Sequence, residues 1–166
     1  MSIDISRITK VDGASIDVSY TEKMDDLSGV VDGFGFPAPV VFNGKFLNTG
    51  NALKLEGDLR VSYTTSCSRC LKSIQADLSI NIKESFVNSG KASDSDEEAY
   101  TYTGNLVSID KALKDNIVLN LPAKQLCSEN CKGLCQSCGC DLNENDCNCS
   151  TDVVNPKMEV LKGFFD

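Results

Sequence analysis

The chain of 166 residues contains no histidine, and this absence removes two kinds of chemistry. No imidazole is available as a general base, and zinc sites of the histidine-containing types cannot be built. The sequence also has no glycine-rich phosphate loop, and its carboxylates are too scattered along the chain to be paired by inspection. We therefore predict that the protein is not an enzyme and has no small-molecule substrate.

Long apolar segments are missing as well. No stretch approaches the roughly 18 apolar residues of a membrane-spanning helix, and the first residues, "MSIDISRITKVDGAS", show no basic region followed by an apolar one. Neither export nor membrane spanning is indicated, so we expect a cytoplasmic protein. With 41% hydrophobic residues, the chain can nevertheless bury a core of its own.

Basic residues are outnumbered, because 16 Lys and Arg stand against 24 Asp and Glu, for a net charge of -8. Affinity for nucleic acid comes largely from basic side chains that displace counterions. Two zinc ions held by eight thiolates would lower the net charge further, to about -12, since each site combines two positive charges with four negative ones. Any contact with RNA must then use a small basic patch or a protein partner.

Cysteine is what the sequence has in abundance. Cys67 and Cys70 form "CSRC", and seven more cysteines lie in "LCSENCKGLCQSCGCDLNENDCNC", residues 126–149. Disulfides rarely persist in a reducing cytosol, and the odd total of nine leaves one thiol over after full pairing. Two cysteines separated by two residues can clasp one metal ion and supply half of a tetrahedral site. The cysteines therefore predict metal binding.

Two complete four-cysteine sites are possible, holding one or two zinc ions in all. The preferred partition leaves Cys140 as a spare, and its two sets are Cys67, Cys70, Cys127 and Cys131, and Cys135, Cys138, Cys147 and Cys149. A competing partition joins Cys67 and Cys70 to Cys135 and Cys138, and spacing does not decide between them. Zinc is favoured over an iron–sulfur cluster because separate knuckle-type pairs suit tetrahedral thiolate, although both use four cysteines.

Alternating apolar residues flank the "CSRC" motif and predict two half-buried strands with the motif at the tip of a hairpin. Thr49-Gly50-Asn51 is the expected turn before the first of these strands, and Gly57 within it is a candidate bulge. The segment "SIDKALKDNIVLNLP" predicts a helix with Ser108 as N-cap, and "NPKMEVLKGFF" predicts a short final helix.

The predicted fold is α+β and mainly antiparallel β, with a long hairpin or barrel-like sheet, one or two short helices and a cysteine-rich zinc-binding C-terminal segment. We expect a β region over residues 1–88, an acidic linker or loop over 89–98, and a helical and cysteine-rich region over 99–166. The first and last regions are expected to pack as a single domain.

The combination of "CSRCL", "LKDNIVLNLPAKQLCSENCKGLCQSCGCDLNENDCNC" and "NPKMEVLKGFF" resembles the YceD family of bacterial and plastid proteins, over roughly residues 40–166. The matching positions are Cys67, Arg69 and Cys70, Leu121 and Pro122, and the cysteines from Cys127 onward. Cys140 departs from the common form of the motif. The resemblance implies a ribosome-biogenesis role in the synthesis, processing or accumulation of the large-subunit (23S) ribosomal RNA.

The resulting hypothesis is a non-enzymatic ribosome-biogenesis factor with structural zinc, whose partners are ribosome-assembly components or ribosomal RNA, reached mainly through proteins. Arg69, Lys72 and Lys132 are the candidate contacts to RNA or to a partner. Two alternatives stay open at this point. One is a thiol oxidoreductase that uses Cys67 and Cys70, and the other is a zinc-stabilised adaptor with a non-ribosomal partner.

Overall fold

The computed structural model describes residues 2–24, 27, 31–90 and 99–149. These residues form seven strands and one helix, in the order β1 (Ser2–Asp4), β2 (Ser15–Glu22), β3 (Val40–Asn48), β4 (Leu53–Ser66), β5 (Ser73–Asn88), β6 (Tyr100–Tyr102), β7 (Leu106–Ser108) and α1 (Asp110–Asn120). The chain divides into two compact units: a sheet unit of residues 1–65 and 74–123, and a cysteine unit of residues 66–73 and 124–166.

The sheet unit contains a five-stranded sheet with strand order β2-β3-β4-β5-β6, and a two-stranded sheet that pairs β1 with β7. The β2–β3 and β3–β4 pairs are antiparallel, whereas β6 runs parallel to β5. Antiparallel pairing thus dominates, as predicted. The barrel-like form that we expected is wrong for the described residues, because β2 and β6 are the two edges of an open sheet.

The long hairpin strands follow their predicted alternation. Leu55, Leu59 and Val61 of β4 are buried, as are Ile80 and Ile82 of β5. The turn before β4 lies at Thr49-Gly50-Asn51, where the amide of Thr49 donates to the carbonyl of Ala52 at 2.9 Å. Period-two burial therefore located both strands correctly from the sequence.

Gly57 is not a bulge. It lies directly opposite Gly44 in an unbroken antiparallel register between β3 and β4. A Cβ atom at Gly57 would come within 2.8 Å of the tip of the Phe42 ring. The glycine pair therefore allows the two strands to approach closely and leaves room for the buried ring of Phe42, two residues from Gly44 on β3, so Gly57 meets a packing requirement and is not an extra residue.

The core of the sheet unit is apolar and continuous from the strands to the helix. Phe86 joins aromatic neighbours from two other strands, with ring centroids 5.3 Å from Phe46 and 5.3 Å from Tyr100. The largest fully buried side chains are Phe42, Phe46, Phe86, Ile5, Leu27, Leu55, Leu59, Ile82, Ile109, Leu113, Ile117 and Val40. A core of this kind stabilises the unit without any metal.

The predicted helix is present as α1, and a stripe of apolar side chains along it, Ile109, Leu113 and Ile117, is fully buried. Its start differs by one residue from the prediction: Ile109 is the N-cap, and no side chain caps the helix there. Ser108 ends β7, and its hydroxyl donates to the Asp110 carboxylate at 2.8 Å. The Ser108 side chain therefore contacts Asp110, the acidic residue of the first turn, and does not cap the backbone N–H groups at the start of the helix.

Two sequence predictions lie wholly or mainly outside the described residues. These are the final helix over "NPKMEVLKGFF" and most of the acidic segment 89–98, of which only Ser89 and Gly90 are described. Within the described part of the chain, no helix has both the length and the apolar character that a membrane crossing requires.

Candidate metal centres

The first candidate centre joins two distant segments of the cysteine unit. The turn that connects β4 to β5 contributes Cys67 and Cys70, and the segment after α1 contributes Cys127 and Cys131. All four sulfurs lie within 4.8 Å of one another. The Cys67 and Cys131 sulfurs are 3.8 Å apart, and those of Cys70 and Cys127 are 3.5 Å apart.

These spacings test the fit of a metal. Four sulfurs placed tetrahedrally at about 2.3 Å from one zinc ion are separated by about 3.8 Å from each other. The observed distances of 3.5 and 3.8 Å, together with the limit of 4.8 Å on every pair of sulfurs, match a single ion. An iron–sulfur cluster spreads its cysteines over different iron atoms and so holds them farther apart. The donor set therefore fits one tetrahedral ion.

Backbone amides stabilise the thiolate form of Cys67. The N–H of Cys70 lowers the pKa of the Cys67 thiol to about 6, and the N–H groups of Arg69 and Cys127 act in the same direction. The latter two amide nitrogens each lie 3.4 Å from the Cys67 sulfur. Since a metal binds the thiolate and not the thiol, these hydrogen bonds favour the ligating form.

Hydrogen bonds within the cysteine unit hold the two contributing segments together. Ser68 donates its amide to the carbonyl of Gln125 at 2.8 Å, and Leu134 donates to the carbonyl of Arg69 at 3.2 Å. The guanidinium Nη1 of Arg69 also donates to the carbonyl of Cys131 at 2.7 Å. Arg69 is therefore tied to the backbone of a candidate ligand.

The second candidate centre is local in sequence. Cys135 and Cys138 come from one turn, Cys147 and Cys149 from the loop that follows, and their sulfurs lie within 4.8 Å of one another. The N–H of Cys138 lowers the pKa of Cys135 to about 6, which repeats the arrangement at Cys67. The two groups are those of the preferred partition in the sequence analysis.

The close spacing of the cysteine side chains in each group favours a bound cation. Hydrogen bonding to Cys138, together with burial and the nearby thiolate charge, raises the pKa of Cys149 to about 12. Four thiolates within 4.8 Å of one another repel strongly unless a positive ion lies among them. A divalent cation removes this conflict, so the residues present fit a structural metal ion. Where all four positions are thiolates, no open position is left for a reacting water.

Cys140 belongs to neither group. Burial, followed by hydrogen bonds with Cys138 and Cys147, raises its pKa to about 12. Its side chain thus stays a neutral thiol beside the second centre, whereas its carbonyl accepts the amide of Cys135 at 2.9 Å.

Two glycines of the cysteine unit have different tasks. At Gly139 a Cβ atom would meet nothing within 4 Å, and the φ of +74° is what requires glycine. At Gly133 the backbone closely approaches another segment. A Cβ atom at Gly133 would lie 3.1 Å from the Arg69 carbonyl oxygen, and its φ is +79°.

Of the predicted contact residues, Lys72 forms an exposed ion pair with Glu144 at 3.6 Å. Lys132 is exposed, and its amide donates to the Asn143 side chain at 2.8 Å. Arg69 is held by Cys131 as described above. Two of the three side chains, those of Arg69 and Lys72, thus have partners within the cysteine unit.

Comparison with known proteins identifies the family to which the chain belongs. Residues 55–165, well over half of the chain, match the family described as "Large ribosomal RNA subunit accumulation protein YceD". The chain belongs to the YceD family. The match includes both cysteine groups, most of β4 before "CSRC" and all of β5 after it, so the family membership expected from the sequence motifs is confirmed.

Relatives of this YceD family member are distant. It is 27% identical over 158 residues to the "Large ribosomal RNA subunit accumulation protein YCED homolog 1, chloroplastic" of Zea mays, a match that covers 76% of the chain and 54% of the maize protein. The chain thus spans about half the length of that relative. Uncharacterized proteins of Mycobacterium bovis and Mycobacterium tuberculosis are 21% identical over 146 residues, covering 86% of the chain and 70% of each relative. No solved structure matches the chain.

Asn143 is a residue of this YceD site that sequence reasoning missed. Its side-chain nitrogen donates to the Cys131 sulfur at 3.4 Å and to the Asp141 carboxylate at 2.6 Å. Its side-chain oxygen accepts the amide of Lys132. Asparagine in a polar loop gives no distinctive signal in a single sequence, because such loops are rich in asparagine for turn geometry alone.

Proposed function

We propose that this YceD family member is a non-enzymatic factor that supports the synthesis, processing or accumulation of large-subunit ribosomal RNA in the cytoplasm. The observation that carries the proposal is the family match over residues 55–165. The name of the maize relative refers to the same role in that protein. The absence of histidine from the chain supports a role without acid–base catalysis.

Zinc is proposed as the structural metal of both centres. Cys67, Cys70, Cys127 and Cys131 would hold one ion, and the other four cysteines, Cys135, Cys138, Cys147 and Cys149, would hold the second. Zinc would provide cross-linking only, since four thiolates fill its coordination sphere. Elemental analysis of anaerobically purified protein tests this directly. Iron in place of zinc would contradict the choice of metal, and no metal at all would contradict both centres.

The partners proposed for this role are proteins of the ribosome-assembly process more than bare RNA. The net charge of -8, which bound zinc thiolates make more negative, complements basic ribosomal proteins and opposes a broad phosphate-binding surface. Arg69, Lys72 and Lys132 are the proposed contact residues, and each lies within two residues of a cysteine of the first group in the sequence.

Depletion of the protein in its own cells tests the proposed role. We expect a lower ratio of large-subunit to small-subunit ribosomal RNA, restored by the wild-type gene. An unchanged ratio after complete depletion would contradict the role. If the ratio falls, pulse-labelling of new RNA would distinguish reduced synthesis from faster decay, because only reduced synthesis lowers the initial rate of label incorporation.

The competing thiol oxidoreductase has one observation in its favour, the lowered pKa of Cys67. The geometry opposes it, because Cys67 is fully buried, Cys70 is nearly so, and both sulfurs lie against further cysteines. Catalytic thiols need access to a disulfide substrate. Reduction of a disulfide substrate by the metal-free protein, lost in Cys67→Ser, would support the oxidoreductase over our proposal.

A further inference from the structure

The turn at the first centre is closed by two backbone hydrogen bonds. The amide of Leu71 donates to the carbonyl of Cys67 at 3.0 Å, and the amide of Cys67 donates to the carbonyl of Lys72 at 2.8 Å. The cysteine pair is therefore held by a loop of six residues whose fifth member, Leu71, lies just after the second cysteine of the motif.

The second centre repeats this turn bond for bond. The amide of Gly139 donates to the carbonyl of Cys135 at 2.9 Å, and the amide of Cys135 donates to the carbonyl of Cys140 at 2.9 Å. Gly139 thus occupies in the second turn the position that Leu71 occupies in the first. The same chain contains two versions of one structure.

The equivalent position requires a left-handed backbone in both turns. Gly139 has φ +74°, and Leu71 has φ +61°. Among the residues that the structure describes, Leu71 is the one residue other than glycine with a positive φ. A leucine in this region is strained by contact between its Cβ atom and the backbone, and glycine is not.

Packing of the Leu71 side chain does not offset this backbone strain, because 66% of its surface is exposed. An exposed large apolar side chain and a strained backbone thus coincide at one residue. Glycine would remove both penalties, and Gly139 shows that the fold accepts glycine at this position. Folding therefore does not explain the leucine, and a strained residue at an exposed site points to function.

We propose that Leu71 is the anchor of a protein-docking surface, whose side chain enters an apolar pocket on a protein of the large ribosomal subunit. The docking surface is defined here as Leu71 with its neighbour Lys72 at the rim. This inference rests on the proposed function for the class of partner, whereas the role of the leucine rests on the two turns alone.

A protein is favoured over RNA by the groups beside Leu71. Lys72 is already paired with Glu144 at 3.6 Å, and Arg69 donates to the Cys131 carbonyl at 2.7 Å. Both side chains therefore already have partners within the cysteine unit, an exposed carboxylate for Lys72 and a backbone carbonyl for Arg69. Single-stranded RNA is bound by basic grooves with aromatic side chains on which bases stack. An aliphatic side chain on an acidic protein instead fits an apolar pocket on a basic protein.

Leu71→Gly is the decisive variant, because it removes the side chain and relieves the backbone strain together. We expect it to keep its full metal content and to unfold at the same or a higher temperature than the wild type. In cells that lack the native gene, it should fail to restore the ratio of large-subunit to small-subunit ribosomal RNA. Leu71→Met, which keeps an apolar side chain, should restore it.

Leu119→Ala is the matched control, since Leu119 is another exposed leucine, 81% accessible, on helix α1. It should behave as the wild type in the same cells. If Leu71→Gly restores the RNA ratio as well as the wild type does, the proposal is wrong. It is also wrong if Leu71→Gly and Leu119→Ala fail equally.

Binding in vitro separates the two macromolecules. The wild-type protein is tested against the protein fraction extracted from large ribosomal subunits and against protein-free large-subunit RNA. We expect binding to the protein fraction that Leu71→Gly weakens by about tenfold, the scale of a truncated interface anchor. No wild-type binding to that fraction, or a loss confined to the RNA, would overturn the proposal.

Failure of the proposed function remains distinguishable from failure of the docking surface. If depletion leaves the ribosomal RNA ratio unchanged, the proposed function is wrong. The binding experiment still decides the docking surface in that case, because it measures the effect of Leu71→Gly on a protein fraction directly.

Discussion

The sulfur of Cys67 lies 3.8 Å from the sulfur of Cys131, although the two residues are 64 positions apart in the sequence. Between them the chain passes through β5, β6, β7 and α1 of the sheet unit. A metal ion between these sulfurs would close a long loop, and such closures restrict the unfolded chain strongly.

Each of the two cysteine groups should bind one metal ion. We expect two ions per chain in the wild type, and one ion in Cys67→Ser and in Cys135→Ser, because each substitution removes a ligand from a different group. Cys140→Ser is the matched control and should keep two ions, since Cys140 belongs to neither group. Elemental analysis of anaerobically purified protein measures this. Equal losses in all three variants would contradict the grouping.

Metal removal should unfold the cysteine unit selectively. Its buried apolar residues, within the described part of the chain, are Cys67, Cys70, Cys131 and Cys135. The sheet unit instead has an extensive aliphatic and aromatic core. Since structural zinc contributes on the order of 10 kcal/mol in small modules, we expect the cysteine unit to lose its structure when the metal is removed.

Hydrogen exchange read by mass spectrometry checks this. After chelation under reducing conditions, peptides from residues 124–149 should exchange rapidly, while peptides from β3 and β4 stay protected. Protection of both regions in the metal-free protein would argue against a structural metal. Protection lost in both would show that the sheet unit depends on the metal as well.

Asn143→Ala should weaken metal binding at the first centre. Asn143 donates to the Cys131 sulfur and joins it to Asp141 and Lys132. Removal of a second layer of hydrogen bonds around a metal typically lowers affinity by about 10–100-fold. Asn145→Ala, an exposed asparagine in the same loop, is the control. Competition with a zinc chelator measures both affinities, and equal values would exclude this role for Asn143.

Gly57→Ala should destabilise the sheet unit by about 1–3 kcal/mol, the usual cost of forcing extra atoms into a packed site. The added methyl group would meet the Phe42 ring and the backbone of Gly44. Gly90→Ala is the matched control, because the nearest atom to its Cβ would be a side-chain oxygen of Asn88 at 3.3 Å. Urea unfolding followed by tyrosine fluorescence gives both free energies. A stable Gly57→Ala protein would mean that the β3 backbone at Asn43 and Gly44, as well as the Phe42 ring, can move aside.

Asn48→Ala should cost about 1–3 kcal/mol of unfolding free energy, as expected when buried backbone groups lose their partner. The Asn48 side chain is buried and donates to the carbonyls of Ile8 at 2.7 Å and Val11 at 3.2 Å. Its oxygen accepts the amide of Gly50 at 2.8 Å. Asn51→Ala, an exposed change in the same turn, should have little effect in the same urea experiment.

The sequence by itself determined what depends on neighbouring residues. The alternation around "CSRC" located β4 and β5, and the apolar stripe of Ile109, Leu113, Ile117 and Leu121 located α1, because burial on one face imposes a local period. Spacing and the lack of histidine also indicated metal sites made of cysteine alone. Each of these inferences spans a few turns of chain.

Only the tertiary structure decided which distant groups meet. Spacing left two partitions of the cysteines open, and folding brings Cys131 to Cys67 through contacts that no local period encodes. The same holds for the open sheet with its parallel β6, because alternation fixes which face is buried but not how the edges pair. The left-handed backbone at Leu71 could not be predicted from the sequence either, because leucine by itself does not indicate a positive φ.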